Sequence, residues 1–242
     1  MPRYKILIEY EGTRYNGWQK QPKGITVQGE IEAALSRILG RELAIYGQGR
    51  TDSGVHALGQ VAHFDTDKML DIPKIKYALL GVLPKDIAVW NLMEVDNSFH
   101  ARFDAKSRRY RYQIVTRPRP MMRNFAARVL KPVELEVMTE CAAAIKGEYD
   151  FESFTKSSEE QPNGRCLVTR SDFEVSDSLI TYHIEANRFL RRMVRRLIGS
   201  ILQVGQGKWE KNKFLDLLHN PSKIKGGHAA PARGLILEKV IY

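Results

Sequence analysis

The chain has 242 residues, 43% of them hydrophobic, which suffices for one large or two modest domains with a sizeable core. Its 38 Lys and Arg against 28 Asp and Glu leave a formal net charge of +10, and that excess points to a polyanionic partner, most simply nucleic acid. No apolar run approaches the ~20 residues of a membrane-spanning helix, the N-terminal MPRYKILIEYEG lacks the features of a secretory signal, and two cysteines, Cys141 and Cys166, without CxxC spacing exclude a disulfide framework; a cytoplasmic protein is expected.

In chain order, Arg3–Tyr10 (RYKILIEY) is rich in β-forming residues and reads as a strand. A loop with Gly12, Gly17, Pro22 and Gly24 follows. Thr26 can cap a helix whose Val27, Ile31, Ala34, Leu35 and Ile38 share one face, and Gly40 ends it. Residues 43–47 form a short strand, 48–56 a turn-rich loop and 60–64 another strand. Asp71-Ile-Pro opens a helix to about residue 83, and Ile87–Val95 is a strand. The first hundred residues thus read β-α-β-β-α-β. Residues 107–116 are a strand, 117–123 (RPRPMMR) a basic loop, 134–145 an amphipathic helix and 148–164 a polar loop expected to be mobile. Residues 166–175 and Leu179–Ala186 make a hairpin around Ser176-Asp177. Residues 188–204 read as a long arginine-dense helix, 226–234 as a loop and Leu235–Ile241 as the final strand. The pattern predicts an α+β fold of two halves, residues 1–105 and 106–242, each an antiparallel sheet with helices on one face. The uncovered face of such a sheet suits RNA.

Residues 47–64 (GQGRTDSGVHALGQVAHF) are the most informative stretch. They set an Arg-Thr-Asp-Ser-Gly turn between two expected strands. Asp52 has two readings from its surroundings alone. Asp before Ser-Gly commonly hydrogen-bonds nearby amides in an Asx-type turn. Against that, Arg50 can pair with the carboxylate and keep it ionised, and charged loops on a rigid scaffold often carry function.

The segment 188–204 holds five arginines in nine residues, at 188, 191, 192, 195 and 196, with no acid among them. On a helix Arg188, Arg192 and Arg195 form one stripe, opposite an apolar face of Leu190, Met193, Val194, Leu197 and Ile201. The stripe reads either as a solvated face or as a row of phosphate contacts, and mutual repulsion favours anions nearby. His56, His63 and His100 show no HxH or HxxxH spacing and no carboxylate cluster, so structural hydrogen bonding is expected of them and no metal site.

Residues 49–56 (GRTDSGVH) resemble the catalytic motif of the TruA family of tRNA pseudouridine synthases, which typically reads G-R-T-D-A-G-V-H; Ser53 replaces the usual Ala. Residues 12–19 (GTRYNGWQ) resemble that family's G-x-x-Y-x-G-W-Q segment. Residues 99–112 (FHARFDAKSRRYRY) resemble its F-H-A-R-F…R-x-Y-x-Y stretch, and 187–199 (NRFLRRMVRRLIG) its N-x-F-L-x-x-M-V-R-x-x-x-G segment. The four blocks fall in order across nearly the whole chain.

The resemblance implies isomerisation of uridine to pseudouridine at nucleotides 38 to 40 of the tRNA anticodon arm. It also implies two ferredoxin-like (RRM-like) halves sharing a continuous, mostly antiparallel sheet, an active cleft between them and a homodimer. Asp52 would be the nucleophile, attacking the ribose or assisting by taking a sugar proton, and Arg50 would hold it charged. Tyr110 would stack on the detached base and help remove its ring-carbon proton, although a strand tyrosine sharing a face with Tyr112 reads, unaided, as packing. Arg195 would reach Asp52 or a phosphate. Arg14, Lys20, Arg188, Arg192, His56 and the 117–123 loop would hold a tRNA whose stem uridine must be flipped out. No atoms or electrons leave the substrate overall, so no cofactor is expected, in keeping with the absence of GxxxxGK[ST] and of GxGxxG after a strand. A non-catalytic RNA-binding scaffold fits the charge equally well, and a metal-dependent RNA nuclease is the third reading.

Overall fold

In the computed structural model, which describes residues 1–156, 163–222 and 226–242, the chain runs β1 (Arg3–Tyr10), α1 (Val27–Leu39), β2 (Tyr46–Gly47), β3 (His56–Asp65), α2 (Ile72–Val82), β4 (Ile87–Val95), β5 (Ser107–Val115), β6 (Ala127–Arg128), α3 (Leu135–Ala144), β7 (Gly147–Asp150), β8 (Arg165–Ser176), β9 (Leu179–Ala186), α4 (Met193–Gly205), α5 (Lys211–His219) and β10 (Leu235–Ile241), with short 3-10 turns between some of them. It divides into two compact units, Met1–Lys106 with Ile236–Tyr242, and Ser107–Leu235. The class is α+β with mostly antiparallel pairing, as the pattern predicts. The expected mobile loop lies partly outside the described residues, at 157–162.

In the first unit β1 lies between β4 and β3, antiparallel to both, and β2 adds to β3 antiparallel. The alternation in β1 buries Tyr4, Ile6, Ile8 and Tyr10 and leaves Arg3, Lys5, Leu7 and Glu9 half-buried. Each fully buried aliphatic side chain of this kind contributes ~1.5–3 kcal/mol. Helix α1 starts where expected, because the Thr26 hydroxyl accepts from Gly29 N, and stops at Gly40, whose φ of 70° lies in the left-handed region. Asp71 caps α2 by accepting from Lys74 N. β3 begins earlier than its apolar run suggests, since pairing with β1 extends back to Tyr10 opposite Ala57. The predicted strand at 43–47 contracts to two residues. The last strand joins this unit: Ile236 and Leu237 pair in parallel with His56 and Ala57.

In the second unit β9 lies between β5 and β8, and β7 pairs with β8, all antiparallel. The β8–β9 hairpin turns at Asp177, whose φ is 52°, close to the expected Ser176-Asp177. Helix α5 buries Phe214, Leu217 and Leu218, an i, i+3, i+4 pattern present in the sequence but not picked out above. The expected helix over 188–204 is corrected: α4 starts only at Met193. Arg192 takes a φ of 63°, which no right-handed helix tolerates, and Met193 N donates to Leu190 O in a tight turn. Just upstream, Asn187 is held against β8, its amide donating to Leu167 O and its Oδ1 accepting from Leu167 N. The arginine stripe of residues 188, 192 and 195 therefore does not exist as one helical face.

Candidate active site

The Asp52 turn is bracketed by backbone hydrogen bonds from the 12–19 segment. On its leading side Trp18 N donates to Thr51 O at 3.1 Å, and the Thr51 hydroxyl bonds the buried Tyr10 hydroxyl at 2.8 Å. On its trailing side the Tyr15 carbonyl accepts from the Ser53 hydroxyl at 3.1 Å and from Gly54 N at 3.4 Å. Within the turn Val55 N donates to Asp52 O at 3.2 Å. Two glycines permit this approach. A Cβ on Gly12 would stand 1.9 Å from Val55 O, and one on Gly17, at φ 88°, would stand 2.6 Å from Thr51 O. Two sequence blocks more than thirty residues apart thus build one turn, and Asp52 sits on it half-buried.

The other first-unit residues singled out by sequence surround this assembly. Arg50 is exposed, two residues before Asp52. His56 is buried and its Nδ1 accepts from Gly12 N at 3.0 Å, so the ring braces the 12–19 segment. Arg14 is mostly exposed and its Nη1 lies 3.2 Å from Asp86 Oδ2. Lys20 Nζ lies 3.2 Å from Glu32, a buried carboxylate that also accepts from Gln28 Nε2 and Ile45 N. Tyr10, Tyr15, Thr51, Glu32 and Asp86 were not marked by sequence reasoning. Two of them fall within the resembling blocks, Tyr15 in G-x-x-Y-x-G-W-Q and Thr51 in G-R-T-D.

In the second unit Tyr110 sits on β5, nearly buried, with its ring edge-on to Phe189 at 5.2 Å between centroids. Two residues on, Tyr112 donates to Pro231 O at 2.9 Å; burial pushes its phenol well above the ordinary value, so it remains a donor. Arg195 and the 226–234 loop exchange bonds: Arg195 Nε donates to Ala230 O, and Ala230 N donates to Arg195 O, both at 2.8 Å. Arg196 Nη1 donates to Gly226 O at 3.1 Å, and burial followed by the Arg192 charge lowers its pKa. Arg188 and Arg192 are half-buried on the non-helical approach to α4. β5 and the arginine segment are thereby tied to one loop within this unit.

Near the aromatic end of the first unit, His63 Nδ1 accepts from Ala101 N at 3.2 Å, and its ring stacks on Tyr46 at 5.3 Å. Burial, then the neighbouring His100 and Arg3, depress its pKa to about 4, so it is neutral near pH 7. Among the described residues no group of three or more His, Cys, Asp or Glu is placed to hold a metal ion, and no helix is long and apolar enough to cross a membrane.

The tRNA pseudouridine synthase family model matches residues 6–104 and 141–242. The first span contains the Asp52 turn and the segment bracketing it, and the second contains Arg195 and its loop. The chain belongs to the tRNA pseudouridine synthase family. Relatives named tRNA pseudouridine synthase A match it end to end. The one from Thermoanaerobacter sp. (strain X514) is 39% identical over 244 residues, covering 100% of both chains. The one from Chlorobium luteolum is 40% identical over 243 residues, covering 100% of this chain and 96% of the relative. The one from Bacteroides thetaiotaomicron is 38% identical over 245 residues, covering 100% and 91%. These alignments include Tyr110, which lies between the two family-model spans. A solved Cbf5-Nop10-Gar1 complex overlaps 82% of this chain and 45% of its own at 14% identity, with a TM-score of 0.37, too loose to argue from.

Proposed function

We propose that this chain isomerises uridine to pseudouridine in the tRNA anticodon arm, at nucleotides 38, 39 and 40, with Asp52 as the nucleophilic carboxylate. The observation that carries this reading is the turn itself: a half-buried aspartate in the family's motif, bracketed by hydrogen bonds at Thr51, Ser53 and Gly54. A backbone turn held at these points fixes where the Asp52 side chain starts, which favours action on a sugar carbon. In the reaction the bond from ribose C1′ to uracil N1 breaks, the base turns, and C1′ bonds to C5. The proton lost from C5 is matched by one gained at N1, so atoms balance and no electron acceptor is needed. Tyr110 is assigned the C5 proton transfer, Arg50 the electrostatic support of the carboxylate, Arg195 either that support or contact with a substrate phosphate, and Arg14, Arg188 and Arg192 contacts to tRNA phosphates. The resemblance supports action as a homodimer in the cytoplasm.

The test is incubation with unmodified tRNA transcript in EDTA without cofactor, followed by carbodiimide-stop primer extension. Wild-type protein is expected to place stops at the anticodon arm. Asp52→Asn is expected to abolish them while still retaining tRNA on a filter; normal turnover by that variant would remove the nucleophile assignment.

A further inference from the structure

Tyr15 stands where two separate requirements of the reaction meet. Its backbone carbonyl accepts from Ser53 Oγ and Gly54 N, the two residues after Asp52. Its side-chain hydroxyl donates to Asp86 Oδ1 at 2.5 Å. The other oxygen of the same carboxylate, Oδ2, faces Arg14 Nη1 at 3.2 Å. The Tyr15 ring is buried at 1% exposure, so neither end can drift without the other. Burial and the Asp86 hydrogen bond together push the phenol far above its ordinary value, so the hydroxyl stays protonated and a donor near pH 7.

We propose that Tyr15 is a positioning residue with two separable ends, the carbonyl seating the Asp52 turn and the hydroxyl aiming Arg14, through Asp86, at the tRNA backbone. The inference rests on the reading of Asp52 as the reacting carboxylate and of Arg14 as an RNA contact.

The carbonyl end gives Ser53 a task in a position where the family usually carries Ala. Of the two hydrogen bonds Tyr15 O accepts, both are long, and the Gly54 N bond at 3.4 Å lies further beyond the usual N–H···O lengths than the Ser53 hydroxyl bond at 3.1 Å lies beyond those of O–H···O. In this chain the hydroxyl supplies the firmer tie on the trailing side of the turn. The hydroxyl end works differently. Arg14 is largely in solvent, and a long cation left free loses side-chain entropy when it meets a phosphate. Held by Asp86, which Tyr15 itself holds, it presents its fork in advance.

The two ends predict different kinetic signatures. Ser53→Ala should lower kcat about threefold, the effect of one modest hydrogen bond, with KM for tRNA unchanged; Ser53→Thr, which keeps the hydroxyl on an exposed position, should restore it. Tyr15→Phe keeps the carbonyl and loses the hydroxyl, so it should raise KM about threefold to tenfold with kcat within twofold of wild type. Because Tyr15 acts through Arg14, Tyr15→Phe in an Arg14→Ala background should add little further KM change, a result that general loosening of the fold would not produce. Wild-type kcat in Ser53→Ala, equal impairment in Ser53→Thr, or additive KM effects in the double variant would each overturn the proposal. Asp52→Asn run alongside separates the two levels. If it turns over normally, the reading of Asp52 fails; if it is inactive while Ser53→Ala is wild type, only the positioning role fails.

Discussion

Gly12→Ala is the most severe single-methyl perturbation the site offers. The added Cβ would lie 1.9 Å from Val55 O and 2.5 Å from Val55 C, where carbon and carbonyl oxygen need about 3.3 Å even in close C–H···O contacts. Either the 12–19 segment or the Asp52 turn must therefore move by about 1.4 Å. Overpacking of this size costs ~1–3 kcal/mol, and the move also endangers the bond from Gly12 N to His56 Nδ1, worth ~1 kcal/mol. A stability loss of about 2–4 kcal/mol leaves a domain of ordinary stability mostly folded. Activity should suffer more, because Val55 N is bonded to Asp52 O and a misplacement near 1 Å at a reacting group costs about 100-fold. The comparison is Gly40→Ala, at φ 70° with nothing within 4 Å, which should lose ~1–2 kcal/mol of stability through backbone strain alone and no activity per folded molecule. Single-turnover pseudouridine formation and urea unfolding of both variants decide the matter. A Gly12→Ala protein with activity within threefold of wild type, after correction for the folded fraction, would refute the claim that this contact sets the position of Asp52.

Tyr110→Phe should reduce turnover by about 100-fold or more, in line with loss of a general acid or base, with tRNA retention on a filter preserved; normal turnover would remove the proton-transfer role. Glu32→Ala should lower stability by about 1–3 kcal/mol, because it strands the buried Ile45 N and takes one of two acceptors from the Gln28 amide; Glu32→Gln, which keeps one acceptor, should lose roughly half as much in urea midpoint. His63 gives a pH signature. Its folded pKa of about 4 lies below the unfolded ~6.5, so the unfolded chain binds the extra proton first. Its contribution is complete above pH ~6.5 and is lost as pH falls towards 4, by up to ~3 kcal/mol. The urea midpoint of wild type should fall more between pH 7.5 and 5 than that of His63→Asn; equal falls would contradict the depressed pKa.

The elements that sequence located well are those with local punctuation. Thr26 and Gly40 bound α1 by chemistry contained in the segment itself, and Asp71 does the same for α2. The parallel pairing of Ile236 and Leu237 with His56 and Ala57 is invisible to periodicity, because nothing within seven residues of a strand says which distant strand it joins. The start of α4 at Met193 departs from the helical spacing for a related reason. Residues 188–192 have good helix formers and helical spacing, but tertiary anchoring of Asn187 on Leu167 and the left-handed Arg192 override propensity. At the site, Asp52 stood out because a motif surrounds it. Tyr15 and Trp18 did not reveal their task, because they hold the turn through a backbone carbonyl and a backbone amide, groups every residue possesses.

The arginines at 188–196 keep their charge density although they do not share one helical face. Five arginines in nine residues with no acid among them repel one another and favour anions nearby, and the spacing puts three of them on one helix face. That helical face is absent, yet the charges still act on one another: burial first, and then the charge of Arg192, lower the pKa of Arg196. Part of the compensation comes from inside the fold, where Ala230 O accepts from Arg195 and Gly226 O from Arg196. Carbonyl dipoles solvate a guanidinium without cancelling its charge, so they fix where these cations sit and leave their field intact. Cations fixed in this way give up less rotamer entropy on meeting a phosphate than free side chains do. The 226–234 loop is therefore better understood as the mount that orients this charge than as a connector between α5 and β10.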